Sequence, residues 1–168
     1  MTEPTPPTPS VRLATPADAE ELVRLRAVML HLVVGPTTTT APWEQACADV
    51  LRRGMEEETL AAAVAGDPAD RSRLVASGVV TVAQRLPSPA NPTGRVGWLA
   101  SMVTEAPWRR RGLARRVATT LLDWCVAHGV DRVDLHATAD GAPLYQDLGF
   151  VLRDEWPEMN WRAPASRA

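Results

Sequence analysis

Between residues 95 and 138 the chain switches its hydrophobic period twice. "RVGWLASMV" (95–103) reads as a strand. A helix follows, in which Leu113, Val117, Leu121 and Trp124 recur at helical spacing with Ala114, Ala118, Leu122 and Cys125 beside them. Gly129 stands where a residue closing that helix belongs. Val133, Leu135 and Ala137 then alternate with Asp134, His136 and Thr138, which predicts another strand. Strand, helix and strand in close succession place the chain in the mixed α/β class.

The remaining segments extend that order. "VRLA" (11–14) reads as a strand, and Thr15 and Pro16 open a helix running to about Leu32 as N-cap and first helical residue. A loop, GPTTTTAP (35–42), leads to a second helix over Trp43–Arg53. Strands are expected over Glu58–Ala65 and Leu74–Arg85, and "LPSPANPTG" (86–94) must be a loop, since its prolines and glycine break regular structure. Asp140–Leu148 reads as a short helix stopped by Gly149, with final strands over Phe150–Arg153 and Glu158–Arg162. Residues 1–9, rich in Pro and Thr, are expected to be a disordered tail. A single domain is expected over 10–163, with a short tail at 164–168 and no internal repeat.

The connection from the fourth strand into the long helix is "PWRRRGLARR" (107–116), five arginines in ten residues. Net charge is −2, so this is a local feature on a slightly acidic chain. Three readings compete. A solvated helix face explains the charges but not Gly112, whose entropic cost signals a backbone requirement. A nucleic-acid contact wants a wider basic surface. An anion site at a helix N-terminus uses peptide N–H groups that have no intrahelical partner, together with the helix dipole. In that reading Gly112 lets the backbone approach a pyrophosphate and Ala114 keeps the first turn clear.

Composition narrows the chemistry further. All 18 basic residues are arginine, which excludes a lysine Schiff base. Cys47 and Cys125 show neither metal-ligand spacing nor a disulfide framework, and no metal is expected. No apolar run has the length of a bilayer span, and the first ten residues lack the apolar stretch of a secretory signal. A reduced, cytoplasmic setting without membrane or nucleic-acid partners is the expectation.

"VTEAPWRRRGLARRV" resembles the acetyl-CoA motif of the GCN5-related N-acetyltransferases, the GNAT superfamily, with Arg109, Gly112 and Ala114 on its Arg/Gln-x-x-Gly-x-Gly/Ala pattern. "VDLHATADGAPLYQDLGF" resembles the downstream signature, with Tyr145, Gly149 and Phe150 in place. The close match covers about 95–153. The resemblance implies a mixed, mostly antiparallel sheet of six to seven strands flanked by about four helices. It implies acetyl-CoA as acyl donor, its pantetheine arm along the backbone of Met102, Val103 and Thr104, with the N–H of Val103 as the expected oxyanion donor. CoA is expected on the loop Arg109, Arg110, Arg111, Gly112, Leu113, Ala114 and Arg115, with its pyrophosphate on the amides of Arg110–Arg115.

The implied reaction is direct attack of a primary amine on the thioester, with Tyr145 as acid for the leaving thiolate. The base departs from the family pattern, because the fourth strand carries no acid. Asp134 and His136 are the candidates, with a structural hydrogen bond as the alternative role for His136, and Glu105 follows that strand directly. The family's Asn before the last helix is also missing from "ATADGAP", which leaves that CoA contact to Thr138 or to backbone. Glu56–Glu58 reads as a solvated acidic end or a cation contact. His31, Trp43 and Trp156 either line the acceptor pocket or simply pack. The acceptor is a small-molecule or peptide amine. A homodimer is expected from family habit and the segment "EWPEMNW". The competing class is a non-catalytic acyl-CoA-binding or regulatory protein on the same fold.

Overall fold

Each change of hydrophobic period seen in the sequence corresponds to an element. The computed structural model describes residues 8–35, 42–153, 159 and 161, and the chain divides into the units Met1–His136 and Ala137–Ala168. In the first unit the order is β1 (Val11–Leu13), a 3₁₀ turn (Pro16–Asp18), α1 (Ala19–Val34), α2 (Pro42–Glu56), β2 (Leu60–Gly66), β3 (Leu74–Gln84), β4 (Arg95–Thr104), a 3₁₀ turn (Ala106–Trp108), α3 (Leu113–Ala127) and β5 (Val133–Leu135). One sheet runs β1-β2-β3-β4-β5, antiparallel through β4, with β5 parallel to β4.

β2, "LAAAVAG", is buried over its first six residues, as a strand covered on both faces must be. Leu60, Ala62 and Val64 pack in a core with Leu22, Val23 and Leu25 of α1 and Ala48 and Leu51 of α2. Ala61, Ala63 and Ala65 alternate to the opposite face. On that face lies α3, which buries Leu113, Val117, Ala118, Leu121 and Cys125. Burial pushes the Cys125 thiol up to about 11, and both cysteines are free.

Of the tail expected over residues 1–9, Thr8 and Pro9 are among the described residues: Pro9 is buried, and its carbonyl accepts a hydrogen bond from Arg116. The threonine-rich loop lies outside the described residues apart from Gly35 and Pro42.

In the second unit α4 (Ala142–Asp147) starts on Thr138, whose carbonyl accepts the N–H groups of Gly141 (3.0 Å) and Ala142 (2.9 Å). Gly149, at φ +91°, ends the segment. The strand expected over Phe150–Arg153 does not form: Val151 and Leu152 are exposed, and no strand pairs with them among the described residues. The last expected strand lies outside the described residues except for Met159 and Trp161, neither of which is in a strand. The described sheet therefore has five strands, fewer than the six to seven expected, while its mixed and mostly antiparallel character and the four helices match.

Candidate functional site

The site is built around an irregularity in β4. Val79 pairs with Ala100 and Ser77 with Val103, so Gly78 alone faces both Ser101 and Met102. One residue against two is a β-bulge, and Ser101 takes a left-handed φ of +54° to make it. A Cβ on Gly78 would lie 2.3 Å from Met102 Sδ and 2.8 Å from Val117 Cγ1, so only glycine fits there. The parallel ladder between β4 and β5 ends at Leu99 and Leu135. Residues 100–104 keep β3 on one side and lack a paired strand on the other, among the described residues. That open edge is a row of peptide groups able to pair with an extended, amide-bearing ligand.

The ladder phase assigns individual peptides. Glu105 N–H donates to Val75 O at 2.9 Å, which makes Ala76 and Thr104 a non-hydrogen-bonded pair and turns the Val103 peptide groups toward Ser77. The expected oxyanion donor, Val103 N–H, is thus directed into the sheet, and its side chain belongs to the core. Thr104 faces the open side, where its carbonyl accepts Arg109 Nε at 3.0 Å.

Beyond β4 the chain is clamped. Glu105 accepts from Arg24 Nη1 at 2.7 Å and from Arg73 Nη2 at 3.0 and 3.2 Å. Arg24 also holds Glu21 through Nε (2.8 Å) and Nη2 (2.9 Å) and donates to Leu74 O at 2.7 Å. Glu105 is therefore a strut tying the end of β4 to α1 and β3. The Arg24 guanidinium holds the Glu21 carboxyl below its ordinary range, with burial opposing.

The loop then turns through two left-handed residues, Arg110 (φ +63°) and Gly112 (φ +72°). Leu113, Ala114 and Arg115 precede the first helical hydrogen bond, Arg116 N–H to Gly112 O at 3.1 Å. A Cβ on Gly112 would meet nothing within 4 Å, so the space beside this residue at the helix N-terminus is open. Positive potential and N–H donors face that space. The arginine cluster is not one uniform patch. Arg109 holds Thr104, Arg116 holds Pro9, and the Arg111 guanidinium sits 4.9 Å from the centroid of the Trp108 ring.

The two base candidates are placed differently. Asp134 is in register with Trp98 and is bound on both oxygens by Arg132, at 3.0 and 2.9 Å. His136 follows the last paired residue of β5, at the point where the strands part, edge-on to Trp98 with centroids 4.7 Å apart.

On the α1–α2 face, Arg26 Nη1 donates to Ser101 Oγ of the bulge. This contact is missed by the sequence reading, although Arg26 interrupts the apolar stripe Leu22, Arg26, Met29 of α1. His31 is exposed on the last turn of α1, and Trp43 is half-buried against the core, which is the packing alternative. Trp156 lies outside the described residues.

Within the second unit Tyr145 is half-buried and meets Phe150 edge to face at 5.8 Å, and burial raises its phenol pKa. Thr138 Oγ1 accepts Gly141 N–H at 3.2 Å, so that hydroxyl is engaged in starting α4. Among the described residues no cluster of His, Cys, Asp and Glu is placed to hold a metal, and no helix is long and apolar enough to cross a membrane.

Comparison with known proteins gives one family. The model of the acetyltransferase (GNAT) family matches residues 29–150. The chain is 30% identical over 126 residues to the probable glucosamine 6-phosphate N-acetyltransferase 2 of Oryza sativa subsp. japonica, covering 74% of this chain and 72% of that protein. A structure described as a predicted acetyltransferase with acetyl-CoA from Clostridium acetobutylicum has a TM-score of 0.75 at 23% identity, covering 90% of this chain and 95% of that one. The Arabidopsis thaliana glucosamine-6-phosphate N-acetyltransferase has a TM-score of 0.68 at 16% identity, covering 93% and 100%. Both structures share this chain's fold.

Proposed function

The chain belongs to the acetyltransferase (GNAT) family, and we propose that it moves the acetyl group of acetyl-CoA to a primary amine by direct attack, both substrates being bound together. One observation carries this reading: the open edge of β4 beyond Leu99 runs, through the clamped Glu105, into the open N-terminus of α3. An unpaired strand edge followed at once by an anion cradle suits a ligand with an amide-bearing arm and a pyrophosphate.

In this reading the peptides of Met102 and Thr104 hold the arm, and the N–H groups of residues 112–115 hold the pyrophosphate. Acetyl-CoA supplies the activated acyl group, and the chain supplies orientation and proton transfer. The bulge N–H at Met102, rather than Val103, donates to the developing oxyanion. His136 accepts a proton from the amine, directly or through a water. The C–N bond forms, the C–S bond breaks, and Tyr145 protonates the departing thiolate, the role its motif position implies.

Calorimetry with acetyl-CoA tests the binding half. Wild type is expected to bind, and Gly112→Glu to lose binding because its side chain fills the open space with negative charge. Folded wild type that takes up no acetyl-CoA overturns the reading. Thiol release with a panel of amines tests the catalytic half. Binding without release in any amine moves the chain to the non-catalytic acyl-CoA-binding class.

A further inference from the structure

Two arginines two residues apart on α1 have opposite surroundings. Arg24 is neutralised by Glu21 and Glu105. Arg26 is half-buried and bonds the hydroxyl of Ser101, and among the described residues no carboxylate stands within ion-pair distance of it. A hydroxyl offsets none of the guanidinium charge. A half-buried guanidinium that no carboxylate offsets keeps its charge available to an anion brought to it.

The position of Arg26 is specific. It occupies the core-facing stripe of α1 between Leu22, which is buried, and Met29, which packs against the core. Its charge also reaches α2, where it opposes the burial that raises the Cys47 thiol. The guanidinium therefore stands on the α1–α2 face of the sheet, at the bulge. The α3 helix, whose N-terminus forms the anion cradle, lies on the other face, where Gly78 and Met102 meet Val117. Arg26 is thus on the opposite face of the sheet from the helix that carries the cradle.

We propose that Arg26, seated on Ser101, receives an anionic substituent of the acceptor amine, a phosphate or a carboxylate. This rests on the acetyltransferase reading above and adds the acceptor's chemical class to it. Guanidinium suits either anion because its paired N–H groups match two oxygens at once.

The test compares glucosamine 6-phosphate with glucosamine, and β-alanine with β-alaninamide, which keeps the amine and lacks the carboxylate, at saturating acetyl-CoA. Wild type is expected to favour the charged member of at least one pair in kcat/KM. Arg26→Gln should reduce that preference about tenfold or more, chiefly through KM, as loss of a charge-assisted hydrogen bond does. The pair that responds identifies phosphate or carboxylate. A preference left intact in Arg26→Gln overturns the proposal, including the case where both members of a pair slow equally because Arg26 only braces the bulge. Arg26→Met, which keeps the aliphatic stem, replaces Arg26→Gln if the latter fails to fold.

Calorimetry of the same four amines with CoA present separates this proposal from the one it rests on. Binding of a charged amine that is lost in Arg26→Gln supports the anion receptor even if no amine turns over. Equal binding by both proteins, or no preference for charge in wild type by either method, sinks it.

Discussion

Gly78 of β3 and Met102 of β4 compete for one volume: the place where a Cβ would sit on Gly78 is 2.3 Å from Met102 Sδ. The bulge that opens β4 exists because β3 gives up a side chain there. Gly78→Ala should therefore lower the melting temperature, by an amount equivalent to about 1–3 kcal/mol of overpacking. It should also weaken acetyl-CoA binding by displacing the bulge. Met102→Ala in the same chain should recover part of the loss in stability, since it removes the nearest of the atoms in the way. A double variant whose stability loss is simply the sum of the two single losses would show that the two sites do not interact.

The clamp around Arg24 predicts a response to acid. Glu21 bonds the Arg24 guanidinium and the Leu74 N–H, and its folded-state pKa lies below the ordinary value of about 4.3. Its contribution to stability is full above that ordinary value and is lost as pH falls through the lower folded value. Melting temperature should drop on acidification through this range. Glu21→Gln should be less stable at neutral pH and should show a shallower acid drop. Parallel pH curves for the two proteins would mean that Glu21 does not couple folding to protons.

The two base candidates separate by their place along the β4–β5 ladder. Asp134 is held on both oxygens by Arg132 and lies beside Trp98, upstream of the bulge, while His136 stands where β4 and β5 part. His136→Gln should lower kcat about a hundredfold, within the usual range for a positioned acid or base. Asp134→Asn should lower it far less. Steady-state rates with one good acceptor check both, and the reverse order would transfer the role to Asp134.

Periodicity made the elements legible because it reports burial along a single segment. The helix at 113–127 and the strands at 74–84 and 95–104 fall within a residue of their expected ends. What periodicity cannot report is pairing between distant residues. Arg24 and Glu105 are 81 positions apart, and nothing local to either marks the ion pair that makes Glu105 a strut. The bulge left one trace, Gly78 in an otherwise valine-rich strand, since an isolated strand glycine signals a close backbone approach. The direction of the Val103 peptide is not legible in the sequence, because strand phase is set by register, and register appears only when both strands are placed. The apolar pair Val151 and Leu152 read as a strand by composition, but a strand also needs a neighbour with which to share its hydrogen bonds.

Tyr145 carries the last prediction. Its ring meets Phe150 edge to face, so its packing and its hydroxyl can be separated by one substitution. Burial raises its pKa above the ordinary value of about 10, which keeps the phenol protonated throughout the neutral range and able to donate. Tyr145→Phe retains the aromatic contact and removes the proton. If Tyr145 protonates the thiolate, kcat should fall about a hundredfold while acetyl-CoA affinity and melting temperature change little. If the ring only packs α4, phenylalanine serves equally and turnover persists. Acceptors that form the acyl bond slowly make chemistry rate-limiting and sharpen the comparison, because product release then cannot hide a slower proton transfer. Wild-type turnover in Tyr145→Phe under those conditions would remove the hydroxyl from the mechanism and leave the thiolate to be protonated by water.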